Sequence, residues 1–242
     1  MNRIEIKFRD LKASNKKAFI AFITAGYPDL SVTEKLLREF SRIGVDIVEL
    51  GVPFTDPMAD GPMIQEASQE ALKKKTRLTD IIKLVKKARA FTQMPIALMT
   101  YFNPVFCYGE GRFCRDSEAA GVDGVIIPDL PPEEGRQFLR LAAKAGLDAI
   151  CFISPTTSMR RAKEIVKQAR GFIYYVSLTG VTGARKRLAA GLKTNLARLR
   201  RLTRKPVCAG FGISTAAQAQ EAVRFCDGVI VVALLCAKSR RT

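Results

Sequence analysis

Glu49 sits near the end of Asp46-Ile47-Val48-Glu49-Leu50, a run apolar enough to be a strand buried on both faces. A carboxylate held inward there loses hydration, which raises its pKa and equips it to give or take a proton near neutral pH. A structural ion pair is the other use of such a residue. The loop that follows, Gly51-Val-Pro-Phe-Thr-Asp-Pro-Met-Ala-Asp-Gly-Pro62, carries three prolines and two more carboxylates, Asp56 and Asp60. Eleven residues separate Glu49 from Asp60, so the loop can fold back and set both acids on one pocket. Two carboxylates in different surroundings can divide acid and base roles; as alternatives, Asp56 and Asp60 stand before Pro and Gly, where turn formers are common.

Two later stretches have the character of anion sites: Gly180-Val-Thr-Gly183, and Gly210-Phe-Gly-Ile-Ser-Thr215. Glycines let backbone N–H groups approach a phosphate closely. Other catalysts are removed by composition. The 242 residues contain no histidine, which excludes Ser-His-Asp and Cys-His catalysis and His-ligated metals. The six cysteines form no C-x-x-C pair and read as mostly buried, reduced thiols of a cytoplasmic protein.

These residues need elements to place them. Apolar, β-branched runs at 19–24, 46–50, 95–100, 124–128, 149–153, 172–176, 207–209 and 228–232 read as eight strands. Between them lie amphipathic segments such as 32–43, 78–90, 133–145, 159–169 and 215–225; Leu78, Ile81, Ile82, Leu84 and Val85 mark one helical face. Near-continuous apolar strands alternating with helices predict parallel strands covered on the outside. Eight such units in this length predict a single-domain α/β (β/α)8 TIM barrel over 1–242, with its site at the C-terminal ends of the strands. No G-x-G-x-x-G follows the first strand and no Walker A sequence is present.

Lys and Arg number 40 against 23 Asp and Glu, for a net charge of +17. Clusters fall at 73–75, 198–205 and 238–241, without the interleaved aromatics that base stacking needs. A solvated basic surface is therefore expected, and nucleic acid is not the expected partner. The N-terminus is too charged for a signal sequence. The longest apolar run, 229–237, has nine residues, too few to span a bilayer.

Glu49-Leu-Gly-Val-Pro-Phe-Thr-Asp-Pro-Met-Ala-Asp60-Gly-Pro resembles the signature of the tryptophan synthase α subunit family. Phe22-Ile-Thr-Ala-Gly-Tyr-Pro-Asp29, Met99-Thr-Tyr-Phe-Asn-Pro104, Pro128-Asp-Leu-Pro-Pro-Glu-Glu134, Tyr174-Tyr-Val-Ser177, Gly180-Val-Thr-Gly183 and Gly210-Phe-Gly-Ile-Ser214 follow in the family's order. The resemblance covers about 19–228. It implies retro-aldol cleavage of indole-3-glycerol phosphate to indole and glyceraldehyde 3-phosphate. By the resemblance Glu49 is the general acid/base, Asp60 accepts the indole N–H, and Tyr174 is the active-site tyrosine, with Tyr175 the alternative if the alignment slips by one. Phe22, Met99, Tyr101 and Phe211 are expected around the indole, or else in ordinary core packing. Thr182, Gly183 and Gly212 are expected near the glycerol phosphate. No metal or organic cofactor is implied for this chain. Pyridoxal phosphate is expected in a β-subunit partner, with the two chains joined in an α-β-β-α assembly. The loops carrying Asp56 and 180–185 are implied to communicate with that partner.

The tail, 229–242, departs from the family. The resemblance implies a Gly-Ser pair at the end of the eighth strand, its amides holding phosphate; Val232 and Ala233 stand there, and a branched side chain at 232 obstructs close backbone approach. The family's last long helix or helices are missing before Thr242, so a barrel with exposed apolar surface and marginal stability is expected. A catalytically weak subunit that docks on and activates β is the alternative function. We read the tail as out of frame. One permitted back-translation of 231–238, with a single base inserted after its first codon, reads Val-Gly-Ser-Ala-Ile-Val-Arg-Lys. Codons that cannot yield Gly-Ser on resequencing would overturn this.

Overall fold

The computed structural model describes residues 2–176, 185–210 and 216–233. Eight parallel strands close into a barrel in sequence order: β1 (Ala18–Thr24), β2 (Ile47–Gly51), β3 (Ile96–Met99), β4 (Gly124–Ile126), β5 (Asp148–Ile153), β6 (Ile173–Val176), β7 (Val207–Gly210) and β8 (Gly228–Val232). Closure comes from β8 lying beside β1, with Gly228 opposite Ala18 and Val232 opposite Phe22.

The helices are α1 (Arg3–Ala13), α2 (Leu30–Ile43), α3 (Pro62–Lys73), α4 (Leu78–Ala88), α5 (Phe102–Tyr108), α6 (Glu110–Ala119), α7 (Arg136–Lys144), α8 (Met159–Gln168), α9 (Arg185–Arg200) and α10 (Ala216–Ala222). On α4 the residues read as one face, together with Ala88, are the ones buried. Side-chain bonds start α2 and α5. Asp29 caps α2 by accepting from the Val32 N–H (2.9 Å), and Asp129 accepts from the Phe102 N–H at the start of α5 (2.9 Å). Both acids belong to motifs carrying the family resemblance, and their work in this structure is to hold loops.

Alternation along each strand splits the core. Ile20, Phe22, Ile47, Ala97, Met99, Ile126, Ile150, Tyr174, Cys208 and Ile230 fill the barrel, while Val48, Leu50, Leu98 and Val125 pack outward under the helices. Helix α1, absent from the helical segments read in the sequence, closes the N-terminal end of the barrel with Ile4, Phe8 and Leu11. Gly124 makes room for it: a Cβ there would come within 2.9 Å of Ile4 Cδ1. Buried Asp123 ties this end together, pairing with Arg3 (3.0 Å) and Arg89 (2.7 Å) and accepting the Ile96 N–H (2.8 Å). The tail beyond Ala233, and with it the expectation of a missing last helix, lies outside the described residues.

Candidate active site

The C-terminal mouth of the barrel gathers the residues with chemistry. Glu49 shares the inward register of Ile47, with Phe22 and Ala97 beside it on the neighbouring strands. It is fully buried, and neither carboxylate oxygen has a hydrogen-bond partner. The ion-pair alternative finds no partner among the described residues. Burial alone pushes the carboxyl up to about 8, so Glu49 is a neutral acid at pH 7 with its proton available.

Asp60 returns to the mouth because the loop after β2 is fastened at several points. The Ala59 N–H donates to the Tyr101 hydroxyl (2.9 Å), which in turn donates to Asp60 Oδ2 (3.2 Å). Gln65 Nε2 donates to the Asp60 carbonyl (3.0 Å), and Phe54 stacks on Tyr101 with ring centroids 5.2 Å apart. Asp60 Oδ1 is buried with no partner. Burial raises the Asp60 pKa and the Tyr101 hydroxyl opposes that rise. Burial, with Asp60 nearby, carries the Tyr101 hydroxyl far above its ordinary range, so it stays a donor. Asp56 is exposed and accepts from the Thr55 hydroxyl; it does not join the pocket.

Tyr174 is fully inside the barrel, its ring 4.6 Å from Phe152 and 6.5 Å from Phe172 between centroids. Its hydroxyl lies over the Cα of Gly210, where any Cβ would collide with it. Burial first, then the neighbouring acidic groups, Glu49 foremost, raises its pKa, so the hydroxyl keeps its proton. Tyr175 points the other way, into the outer cluster with Leu196 and Leu199. Strand alternation thus turns Tyr174 into the barrel and Tyr175 out of it.

Phe22 and Met99 face the same interior. Tyr101 contributes a buried ring and also the hydroxyl that fastens the loop, a role its apolar assignment did not anticipate. Two walls were absent from the sequence reading: Phe152, and Ile64 on α3, which packs on the interior cluster. Phe152 was detectable by alternation from Ile150; Ile64 lies beyond the proline loop and carried no such signal. Thr182, Gly183, Phe211 and Gly212 lie outside the described residues. Val232 ends β8 opposite Phe22, and the Ala233 N–H donates to the Phe22 carbonyl (2.9 Å), so that amide is engaged by the backbone. Among the described residues no group of three or more Cys, Asp or Glu could hold a metal ion.

Comparison with known proteins bears on this geometry. A family model described as tryptophan synthase alpha chain matches residues 8–240. The chain is 49% identical over 231 residues to the tryptophan synthase alpha chain of Geobacter sulfurreducens, covering 96% of this chain and 88% of the relative. Its identity to the alpha chain of Thermoanaerobacter pseudethanolicus is 43%, with the same coverage. Among solved structures it is similar to tryptophan synthase subunit alpha from Legionella pneumophila, with TM-score 0.89, 39% identity, and 96% and 86% of the two chains covered.

Proposed function

The chain belongs to the tryptophan synthase alpha chain family, and on that premise we propose that Glu49, Asp60 and Tyr174 carry the family's reaction in the mouth of the barrel. The reaction is the lyase step of tryptophan biosynthesis, cleavage of indole-3-glycerol phosphate to indole and glyceraldehyde 3-phosphate. The bond from indole carbon 3 to the glycerol carbon breaks. Carbon 3 gains a proton, the adjacent hydroxyl loses one and becomes the aldehyde, and positive charge develops transiently at the ring nitrogen.

Glu49 serves both proton transfers. It enters neutral and gives its proton to carbon 3; the resulting carboxylate then takes the hydroxyl proton. Asp60 accepts the indole N–H and stabilises the charge that grows there, with Tyr101 fixing its other oxygen. Tyr174 faces the same barrel interior, where Phe22, Met99, Phe152 and Ile64 are proposed to flank the ring. The carrying observation is the fully buried Glu49, unpaired among the described residues, opposite Phe22, with Asp60 held at the same end of the barrel by Tyr101.

Docking on a β subunit in an α-β-β-α assembly completes the proposal, with pyridoxal phosphate held by β and no cofactor in this chain. Exposed Met58, Met63 and Phe106, on segments following β2 and β3, give the mouth an apolar rim for such a partner. Thr182, Gly183, Phe211 and Gly212 are proposed to meet the glycerol phosphate and the ring. No described helix is long and apolar enough to cross a membrane, and we propose a cytoplasmic location for the single barrel domain.

The test is indole release from indole-3-glycerol phosphate with β present in excess. Glu49→Gln should lower kcat by at least about a thousandfold, at the upper end of what one acid–base group contributes. Activity within tenfold of the parent would overturn the assignment.

A further inference from the structure

At the opposite end of the barrel, beside the N-terminal ends of β1, β7 and β8, lies a cavity of about 170 Å³ rimmed by Lys12, Lys16, Lys17, Arg200 and Arg204. It is bounded by the C-terminal ends of α1 and α9, with Phe8 and Leu11 forming an apolar floor. One acid, Asp227, lines it. That carboxylate is already occupied by Arg200 and by the Val207 N–H (2.7 Å). Among the described residues, no ion pair engages Lys12, Lys16, Lys17 or Arg204. Lys12 has a local reason to be here, since a cation in the last turn complements the helix dipole of α1. Lys16 and Lys17, adjacent in the connection from α1 to β1, and Arg204, in the connection from α9 to β7, have none, and the two connections line one cavity beside Asp227. Like charges gathered around a concavity repel unless an anion sits between them.

We propose that this cavity binds a chain of two or three linked phosphoryl groups, free or as the tail of a nucleotide. Four unpaired cations match the several charges of such a chain, where a single phosphate would leave most of them uncompensated. Phe8 is buried and presents no ring face for a base, so the phosphates are what the cavity reads. The site lies at the far end of the barrel from Glu49 and is independent of the lyase assignment.

Calorimetric titration with inorganic tripolyphosphate at low salt tests this, with glycerol 3-phosphate in excess to occupy the catalytic mouth. The expected result is saturable binding of one equivalent per chain. Lys16→Glu with Arg204→Glu should weaken it at least tenfold, while Lys35→Glu with Lys163→Glu, an equal charge change elsewhere, should leave it within twofold. Indole release should be unchanged in both variants. If the first double variant fails to fold, Lys16→Gln with Lys17→Gln should still weaken binding several-fold. ATP binding as tightly as tripolyphosphate means the chain alone is read; tighter ATP identifies a nucleotide as its source. Absence of saturable binding, equal weakening by both charge-reversal pairs, or binding confined to duplex DNA would overturn the site.

Discussion

One carboxyl in the barrel mouth is kept neutral by its surroundings, and the proposed mechanism turns on it. Among the described residues Glu49 meets an apolar barrel interior, no counter-charge and no hydrogen bond, and burial holds its pKa at about 8. Asp60, four-fifths of a loop away in the chain, is partly exposed and takes a hydrogen bond from Tyr101. In the proposed mechanism Glu49 must be protonated when substrate binds, and kcat/KM reports the free enzyme. It should therefore fall as pH rises through about 8, tenfold per unit beyond. Initial rates between pH 6 and 10 check this. A profile flat to pH 10 would mean that Glu49 does not donate the first proton.

At the scale of elements, the loop after β2 acts through Tyr101. That residue leaves the end of β3 and fastens the loop at Ala59, Asp60 and, through ring stacking, Phe54. Tyr101→Phe keeps the stack and removes both hydrogen bonds. We expect kcat to drop about tenfold or more, since 1.4 kcal/mol of lost positioning is worth a factor of ten, with the basic limb of the pH profile unmoved because Glu49 is untouched. A steady-state comparison with the parent decides it; unchanged kcat would sink the positioning role. The elements themselves were unevenly legible. Strands buried on both faces announce themselves, and the eight apolar runs are the eight barrel strands. Helix α1 did not: Ile4, Phe8 and Leu11 have helical spacing, but its charged residues drew attention only as evidence against a leader. The double duty of Tyr101 exists only once the loop has folded back, which no local pattern encodes.

For the whole molecule, two buried acids couple stability to pH. Glu49 goes from an ordinary 4.5 to about 8, and Asp148, the first residue of β5 with Arg170 3.7 Å away, goes from 3.8 to about 7, burial being the first cause in each. Between the ordinary and raised values the folded chain holds protons that the unfolded chain has released. Unfolding free energy must therefore fall as pH rises from about 4 to 8, by up to about 1.4 kcal/mol per pH unit for each group. Surface carboxylates such as Glu34, lowered by Lys87 and Arg38, work in the opposite direction but are screened. Glu49→Gln combined with Asp148→Asn should raise Tm at pH 8 by clearly more than at pH 5. Thermal melts at the two pH values check this; an equal shift at both would show that titration is not the cause.

The pairing of β8 with β1 also sets a schedule. Ala18 leaves the ribosome about 210 residues before its partner Gly228, an interval on the order of ten to forty seconds at ordinary rates of synthesis. Throughout it β1 has an unmatched edge, with hydrogen-bond donors and acceptors open to any neighbouring nascent chain. Helix α1 emerges first of all, and its apolar face has no barrel to close until the last strand arrives. The chain is thus most exposed to misassembly while it is being made, and holdase chaperones that shelter nascent chains have their greatest purchase on it then.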